Sequence, residues 1–146
     1  MSNVYEISRK LLETAFKIYW DAITPAPPSL IHWENTQFKQ PSAGKWIRFN
    51  IRFGTGQQAS LGSTPLEFVS GVVIVQIFTP KDGATREAAV LADHVAKGLR
   101  YRQMTESGVV VDCRAPNWVP LGERSDQYQT NIQVEFRAQH IAAVAA

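Results

Sequence analysis

The chain has a single cysteine, Cys113, among its 146 residues. One thiol excludes an internal disulfide and any zinc site built from several cysteines, and it favours a reducing compartment. The longest nearly unbroken apolar run, Val72 to Phe78, is far shorter than the roughly 20 residues that a membrane span needs. The N-terminus lacks the apolar core of a signal peptide, because Glu6, Arg9 and Lys10 interrupt it. We therefore expect a soluble protein made in the cytoplasm, with no membrane partner.

Charged side chains are also few. They make up 19% of the chain, and the formal net charge is only +2. Because nucleic-acid-binding proteins carry a clustered basic face, this small and scattered charge argues against sequence-reading contacts with DNA or RNA. The length predicts one domain, residues 1–146, with a core of its own. The low charge fraction favours a surface that partners cover in part.

No catalytic motif or metal-site spacing is present. The three histidines, His32, His94 and His140, lack the short spacings of metal ligands. Asp93 and His94 would form half of an acid/base pair, and Cys113 would be a nucleophile if a histidine met it in space. Nothing in the sequence brings these residues together. We therefore expect no catalytic residue, no cofactor and no metal.

The stretch RFGTGQQASLG, from Arg52 to Gly62, matches the G-x-G-x-x-G/A fingerprint of dinucleotide-binding proteins. That fingerprint requires the glycine turn to open a helix, whose N-terminus holds the pyrophosphate. Here SLGSTP follows, with Gly62 and Pro65, and then a strand. We therefore interpret the stretch as a long glycine-rich loop between two strands of a hairpin. Because loops of this length are usually functional or disordered, we interpret it as a contact arm.

Two segments have the apolar spacing of amphipathic helices. From Asn3 to Ile23 apolar residues recur every three or four positions, and the proline-rich sequence TPAPP ends the pattern. A second apolar stripe begins at Ala84, and we expect this helix to end near Arg102.

Alternating and β-branched segments predict a sheet. Lys45 to Phe53 alternates apolar and polar residues, and Leu66 to Phe78 has the composition of a central strand. Pro116 and Pro120 follow the segment GVVVDC, and we therefore expect a loop after it. The other strand candidates are Ser29–Asn35, Gly108–Cys113 and Tyr128–Arg137. The sequence predicts an α+β fold with a mainly antiparallel or mixed sheet of about five strands and two helices packed on one face.

Aromatic side chains beside arginine on a polar strand face are typical of interface hot spots. Trp46, Arg48 and Arg52 share such a face, and we interpret them as an interface patch. A place at the rim of the core is the alternative for Trp46, and base stacking is disfavoured by the nearly neutral chain. With the glycine-rich arm included, the predicted subunit or tube contacts are Trp46, Arg48, Arg52, Gln57, Gln58, Ser60 and Leu61.

Several segments, taken in order, resemble the phage tail terminator (tail completion) family of long-tailed phages. They are HWENTQF (32–38), KWIRFNI (45–51), ASLG (59–62), GVVIVQIFTPKDGATREA (71–88), LADHV (91–95) and YQTNIQVEF (128–136). Each is short, and their order and spacing carry the resemblance, which covers the chain from about Ile31 to Arg137.

The resemblance implies a structural virion protein that caps the head-proximal end of the tail tube as a ring of six subunits. Such a ring stops polymerisation of the major tail tube protein and presents a surface to a head-side connector or stopper protein. DNA would pass through the bore without sequence-specific binding, and assembly would take place in the host cytoplasm. Two alternatives stay open: a head-closure or neck connector protein and, from a different class, a small-molecule-binding α+β domain.

Overall fold

A computed structural model describes residues 3–24, 26–39, 44–80, 84–124 and 127–141. Two helices and six strands follow one another along the chain. In order they are α1 (Val4–Asp21), β1 (Leu30–Trp33), β2 (Trp46–Gln58), β3 (Leu66–Pro80), α2 (Ala84–Leu99), β4 (Gln103–Glu106), β5 (Val109–Arg124) and β6 (Gln127–Ile141). The predicted α+β class is confirmed. None of the described helices is long and apolar enough to cross a membrane.

The six strands form one curled sheet in the order β1-β2-β3-β6-β5-β4. β1 runs parallel to β2, and the other neighbouring strands are antiparallel. The two central strands, β3 and β6, pair along their whole lengths, from Leu66 opposite Ile141 to Pro80 opposite Gln127. The prediction that Leu66–Phe78 forms a central strand is therefore confirmed.

Two parts of the sheet differ from the sequence prediction, and the sheet has six strands instead of about five. The pattern shows no strand at β4, because QMTE is too short and too polar to reveal alternation. The pattern also predicts a loop after Cys113, whereas β5 continues to Arg124. Irregularities in register between Cys113 and Pro116, and between Pro120 and Gly122, accommodate the prolines within the strand.

Both helices pack on one face of the sheet. α1 buries every fourth residue along one side, from Val4 to Trp20, and α2 adds its own aliphatic stripe. Burial of these side chains supplies the main stabilising term of the fold, since each large apolar side chain contributes roughly 1.5–3 kcal/mol when removed from water. The core includes Leu12, Phe16, Trp20, Ile47, Phe49, Val73, Val75, Ile77, Leu91, Val95, Leu99, Ile132 and Val134.

A glycine permits the close contact between the two helices. A Cβ atom on Gly98 of α2 would lie 2.6 Å from Cδ2 of Tyr19 in α1. The Tyr19 hydroxyl donates a hydrogen bond to the carbonyl of His94 at 2.7 Å. The Tyr19 ring therefore occupies the space that a side chain at position 98 would take.

A second glycine shapes the centre of the sheet. The ring of Phe136 in β6 lies across Gly71 of β3, so that a Cβ atom on Gly71 would lie 2.3 Å from Cζ of Phe136. The same Cβ would lie 2.8 Å from the backbone oxygen of Arg52. Phe136 also meets Phe53 edge to face, with ring centroids 5.8 Å apart. Gly71 thus allows an aromatic side chain to cover the middle of the sheet.

A carboxylate closes the outer edge of β2 where β1 ends. β1 pairs only with Trp46–Phe49, and the backbone N–H of Ile51 donates instead to Oε1 of Glu34. Arg9 of α1 contacts the same oxygen at 3.2 Å. The Glu34 side chain thereby joins α1, the end of β1 and the edge of β2.

Candidate functional site

The sheet face opposite the helices, which we call the open face, carries the polar positions that alternate with the core. Strand register places Arg48, Gln76 and Asn131 in one row across β2, β3 and β6. Part of this face is buried, because the sheet is curled: Asn131 and Gln129 are both less than one-tenth exposed. The predicted interface patch begins on this face.

An aromatic cluster of His32, Phe38, Trp46 and Phe78 lies at one end of the open face. The rings of Trp46 and Phe78 stack with centroids 4.1 Å apart, and His32 stacks on Phe38 at 4.8 Å. Phe38 lies beside Trp46, with centroids 5.2 Å apart. Trp46 is only 3% exposed, and its indole N–H has no hydrogen-bond partner among the described residues. In the isolated chain this indole offers almost no surface to a partner.

Arg48 is held by the same aromatic cluster. Its guanidinium carbon lies 5.3 Å from the ring centroid of Trp46 and 5.6 Å from that of Phe78. Its Nε donates to Nδ1 of His32 at 3.2 Å, and Nη1 donates to Oε1 of Gln76 at 3.3 Å. The side chain is half-buried. The structure therefore assigns contacts within the chain to Trp46 and Arg48, and their role at an interface stays a prediction.

The glycine-rich stretch is an extension of the β2–β3 hairpin. β2 continues through Gln57, opposite Phe68, and Gln58, opposite Glu67, after an irregularity between Phe53 and Gly56. The expected long loop is therefore wrong in its length, because residues 54–58 belong to the strand. We call residues 59–65 the hairpin tip.

Hydrogen bonds close the base of the hairpin tip. The Ala59 N–H donates to the Leu66 carbonyl at 2.7 Å, and the Leu66 N–H donates to Oγ of Ser60 at 2.6 Å. Leu61 is 90% exposed, and Gln57, Gln58 and Ser60 are exposed beside it. The chain has no charged residue between Arg52 and Glu67. The hairpin end is therefore an uncharged and solvent-exposed projection with a hydrogen-bonded base.

A basic groove of about 490 Å³ lies on the open face at the base of this hairpin. Strand register places Arg52, Val72 and Glu135 in one row, and Ser70 opposite Arg137 in the next. Sequence analysis found only one of the charged residues of this groove, Arg52. The side chains of the open face that line the groove belong to Arg52, Ser70, Val72, Arg114, Glu135 and Arg137.

Arg137 is the most constrained side chain of the basic groove. Its guanidinium carbon lies 4.4 Å from the ring centroid of Phe68, and its Nε is buried without a hydrogen-bond partner among the described atoms. Arg52 and Arg114 are exposed. Within the described residues, no ion pair joins Arg52, Arg114 or Arg137 to a carboxylate. The alternation of β6 places Arg137 on a polar face, but only strand pairing shows that it lies near Arg52 and Arg114.

The fold does not bring the residues with possible catalytic chemistry together, and each of them contacts different neighbours. Burial raises the pKa of the Cys113 thiol to about 12, so the thiol is protonated at neutral pH and is a poor nucleophile. His94 meets the ring of Trp20 edge to face, and Nε2 of His140 lies 3.1 Å from Oε1 of Glu67. The part of the chain that the structure describes has no cluster of His, Cys, Asp and Glu that could hold a metal ion.

Comparisons with known proteins identify the family of the chain. Nine chains of solved structures match significantly. One of them has a TM-score of 0.72 at 19% sequence identity, with 99% of this chain and 100% of that chain covered, a similarity that shows the fold alone. No curated protein is significantly similar in sequence. A family model described as "Phage tail terminator protein" matches residues 11–136, and the chain therefore belongs to the phage tail terminator family.

Proposed function

We propose that the chain caps the head-proximal end of the phage tail tube as a ring of six identical subunits. The ring stops polymerisation of the major tail tube protein and provides the surface on which a head-side connector joins, while DNA passes through the bore. The family indicates a tail terminator role, which is a structural role in the virion tail. The ring, the head-proximal location, assembly in the host cytoplasm and head joining are the parts that we add as a proposal.

The observation that carries the contact part of this proposal is the hairpin tip. It exposes Leu61 on an uncharged segment whose base is closed by hydrogen bonds. Closure of the base reduces the conformational entropy that the segment loses when a partner covers it, which favours binding. We assign the hairpin tip, with Gln57, Gln58 and Ser60, to contact with a neighbouring subunit or with the tube.

A second exposed apolar feature lies at the opposite edge of the sheet. A cavity of about 190 Å³ between α1 and β4 is lined by Leu11, Ala15, Ile18 and Met104, and Ile18 is largely exposed. β4 is one edge of the sheet, whereas the hairpin belongs to β2 and β3 on the other side. A cyclic ring requires two different patches on each subunit. Two separated apolar features support such a head-to-tail arrangement.

The test of the proposed function is electron microscopy of tails made by co-expression of the tail genes of the source phage, with and without this chain. We expect tubes without the chain to be overlong and to lack a cap. Tubes of normal length that fail to join heads would assign the chain to the neck instead. No change in either property would refute both roles.

Leu61→Ser tests the hairpin tip separately. We expect the folded chain to keep its stability within about 0.5 kcal/mol, because Leu61 makes no core contact, and to lose tube capping. Val90→Ser is the matched control, since Val90 is an exposed apolar residue on α2. Deletion of Gln57–Ser63 is a harsher test, because it also removes paired residues of β2. Normal capping by Leu61→Ser would exclude this side chain from the contact.

A further inference from the structure

We propose that the basic groove binds an acidic segment of a partner protein, with carboxylates seated between Arg52, Arg114 and Arg137. This inference goes beyond the capping role and does not depend on it. The groove lies within one protomer, and its binding is measurable without tubes or tails.

Three cations from three different strands converge on the basic groove. Arg52 belongs to β2, Arg137 to β6 and Arg114 to β5, just after Cys113, which lies opposite Phe136. All three line the same groove, and within the described residues none of them has a carboxylate at ion-pair distance. By contrast, Arg9 of α1 contacts both Glu13 and Glu34. The groove therefore presents positive charge that the described part of the chain does not neutralise.

Contacts within the chain already position Arg137 for a ligand. Its guanidinium lies on the ring of Phe68, and the buried Nε leaves the Nη groups as the donors nearest to solvent. A guanidinium forms paired hydrogen bonds with a planar carboxylate, and a fixed rotamer reduces the entropy lost on binding. The geometry suits a carboxylate ligand.

The composition of the groove favours protein over nucleic acid as the source of the anion. Glu135 is exposed among the arginines and repels any anion next to it; every residue of a DNA backbone carries a phosphate, whereas a peptide can place an uncharged residue opposite Glu135. Its carboxylate accepts hydrogen bonds, which backbone N–H groups of a peptide can supply. Val72, in the same row as Arg52 and Glu135, lines the groove and suits an apolar side chain next to the acidic one. A net charge of +2 adds no general attraction for a polyanion.

The experiment measures fluorescence anisotropy of a labelled peptide of alternating Glu and Leu with the full chain. The matched probe has Gln in place of each Glu, and a labelled mixed-sequence duplex DNA is the third probe. We expect the Glu peptide to bind in a salt-sensitive manner and the Gln peptide to bind at least roughly tenfold more weakly. Arg137→Ala and Arg114→Ala should each weaken binding of the Glu peptide by roughly tenfold.

Two further variants sharpen the test. Glu135→Gln should strengthen binding of the Glu peptide, because it removes a like charge from the groove. Arg100→Ala, a change at an exposed arginine beyond the end of α2, should leave binding unchanged. Arg114 is exposed, so its variant tests the groove even if Arg137→Ala unfolds the chain, and thermal unfolding of each variant reports that.

Three outcomes would overturn the proposal. The first is equal binding of the Glu and Gln peptides, or no binding of either. The second is unchanged binding by folded Arg114→Ala and Arg137→Ala. The third is tighter binding of duplex DNA than of the Glu peptide with the same dependence on the arginines, which would make the groove a nucleic-acid site.

Discussion

On the face of β3 that the helices cover, Val73, Val75 and Ile77 are wholly buried, whereas Ile74 and Gln76 between them are only half-buried on the open face. The covered face is stabilised by apolar packing, in which shape decides what fits. The open face is polar: Arg48 bonds to His32 and Gln76, whereas the buried Nε1 of Trp46 and Nε of Arg137 have no partner among the described atoms. One sheet thus has a covered face whose packing stabilises the fold and an open face whose polar groups are only partly satisfied within the described residues.

The largest effect that we predict lies on the covered face, at Gly71. Gly71→Ala should lower the free energy of unfolding by about 3 kcal/mol, because the new Cβ meets both the Phe136 ring and the Arg52 carbonyl. Gly56→Ala in the same hairpin is the control, since the nearest atom to its Cβ is 3.9 Å away. Denaturant unfolding of both variants gives the difference, and equal stability of the two would show that the sheet centre is loosely packed.

A smaller effect is expected between the helices. Gly98→Ala should destabilise the chain by about 2 kcal/mol, because the Tyr19 ring occupies the space of the added methyl group. The sign of this change in stability is informative, because replacement of glycine by alanine inside a helix otherwise stabilises a protein by about 1 kcal/mol. In a Tyr19→Ala background the clash with the Tyr19 ring is absent, and a contact with Cε2 of Phe16 at 3.2 Å remains. Thermal or denaturant unfolding there should show Gly98→Ala to be much less destabilising than in the parent chain.

The smallest effect compares one buried tryptophan on each face. Trp20 is 1% exposed, and its N–H donates to the Ser29 carbonyl at 2.9 Å, whereas the buried N–H of Trp46 has no partner among the described residues. Trp20→Phe should therefore cost about 1 kcal/mol more than Trp46→Phe, because only the first change breaks a hydrogen bond. Denaturant unfolding measures both, and a larger cost at Trp46 would indicate a hydrogen bond or tight packing there.

Local periodicity predicts most of the elements. The apolar stripe of α1 and the β-branched composition of β3 each extend over many residues. They therefore predict a helix and a strand without information about neighbouring elements. The four residues of β4, three of them polar, form a strand only because β5 supplies partners, and sequence periodicity does not record such pairing. The prolines of β5 indicate a loop when read locally, yet bulges keep them in the strand. Errors therefore fall where tertiary pairing overrides local preference.

The candidate site was predictable only in part. The alternation of β2 identifies the face shared by Trp46, Arg48 and Arg52. It does not predict that the ring of Phe78 and the stacked pair His32–Phe38 cover Trp46. Arg114 and Arg137 are distant from Arg52 in the sequence, and only the β2-β3-β6-β5 order brings them to one groove. Residue types predict which chemical groups a surface offers, whereas strand order determines which residues lie close enough to act together.

The treatment of the sheet edges has a consequence for unwanted strand pairing. The edge strands β1 and β4 are only four residues long, so most of β2 and β5 lies beyond them. There a carboxylate occupies the backbone donor of Ile51, and the prolines at positions 116 and 120 have no donor to offer. An incoming strand would find an incomplete hydrogen-bonding ladder along either part. Short edge strands and missing donors together disfavour the growth of copies of this chain into a fibre.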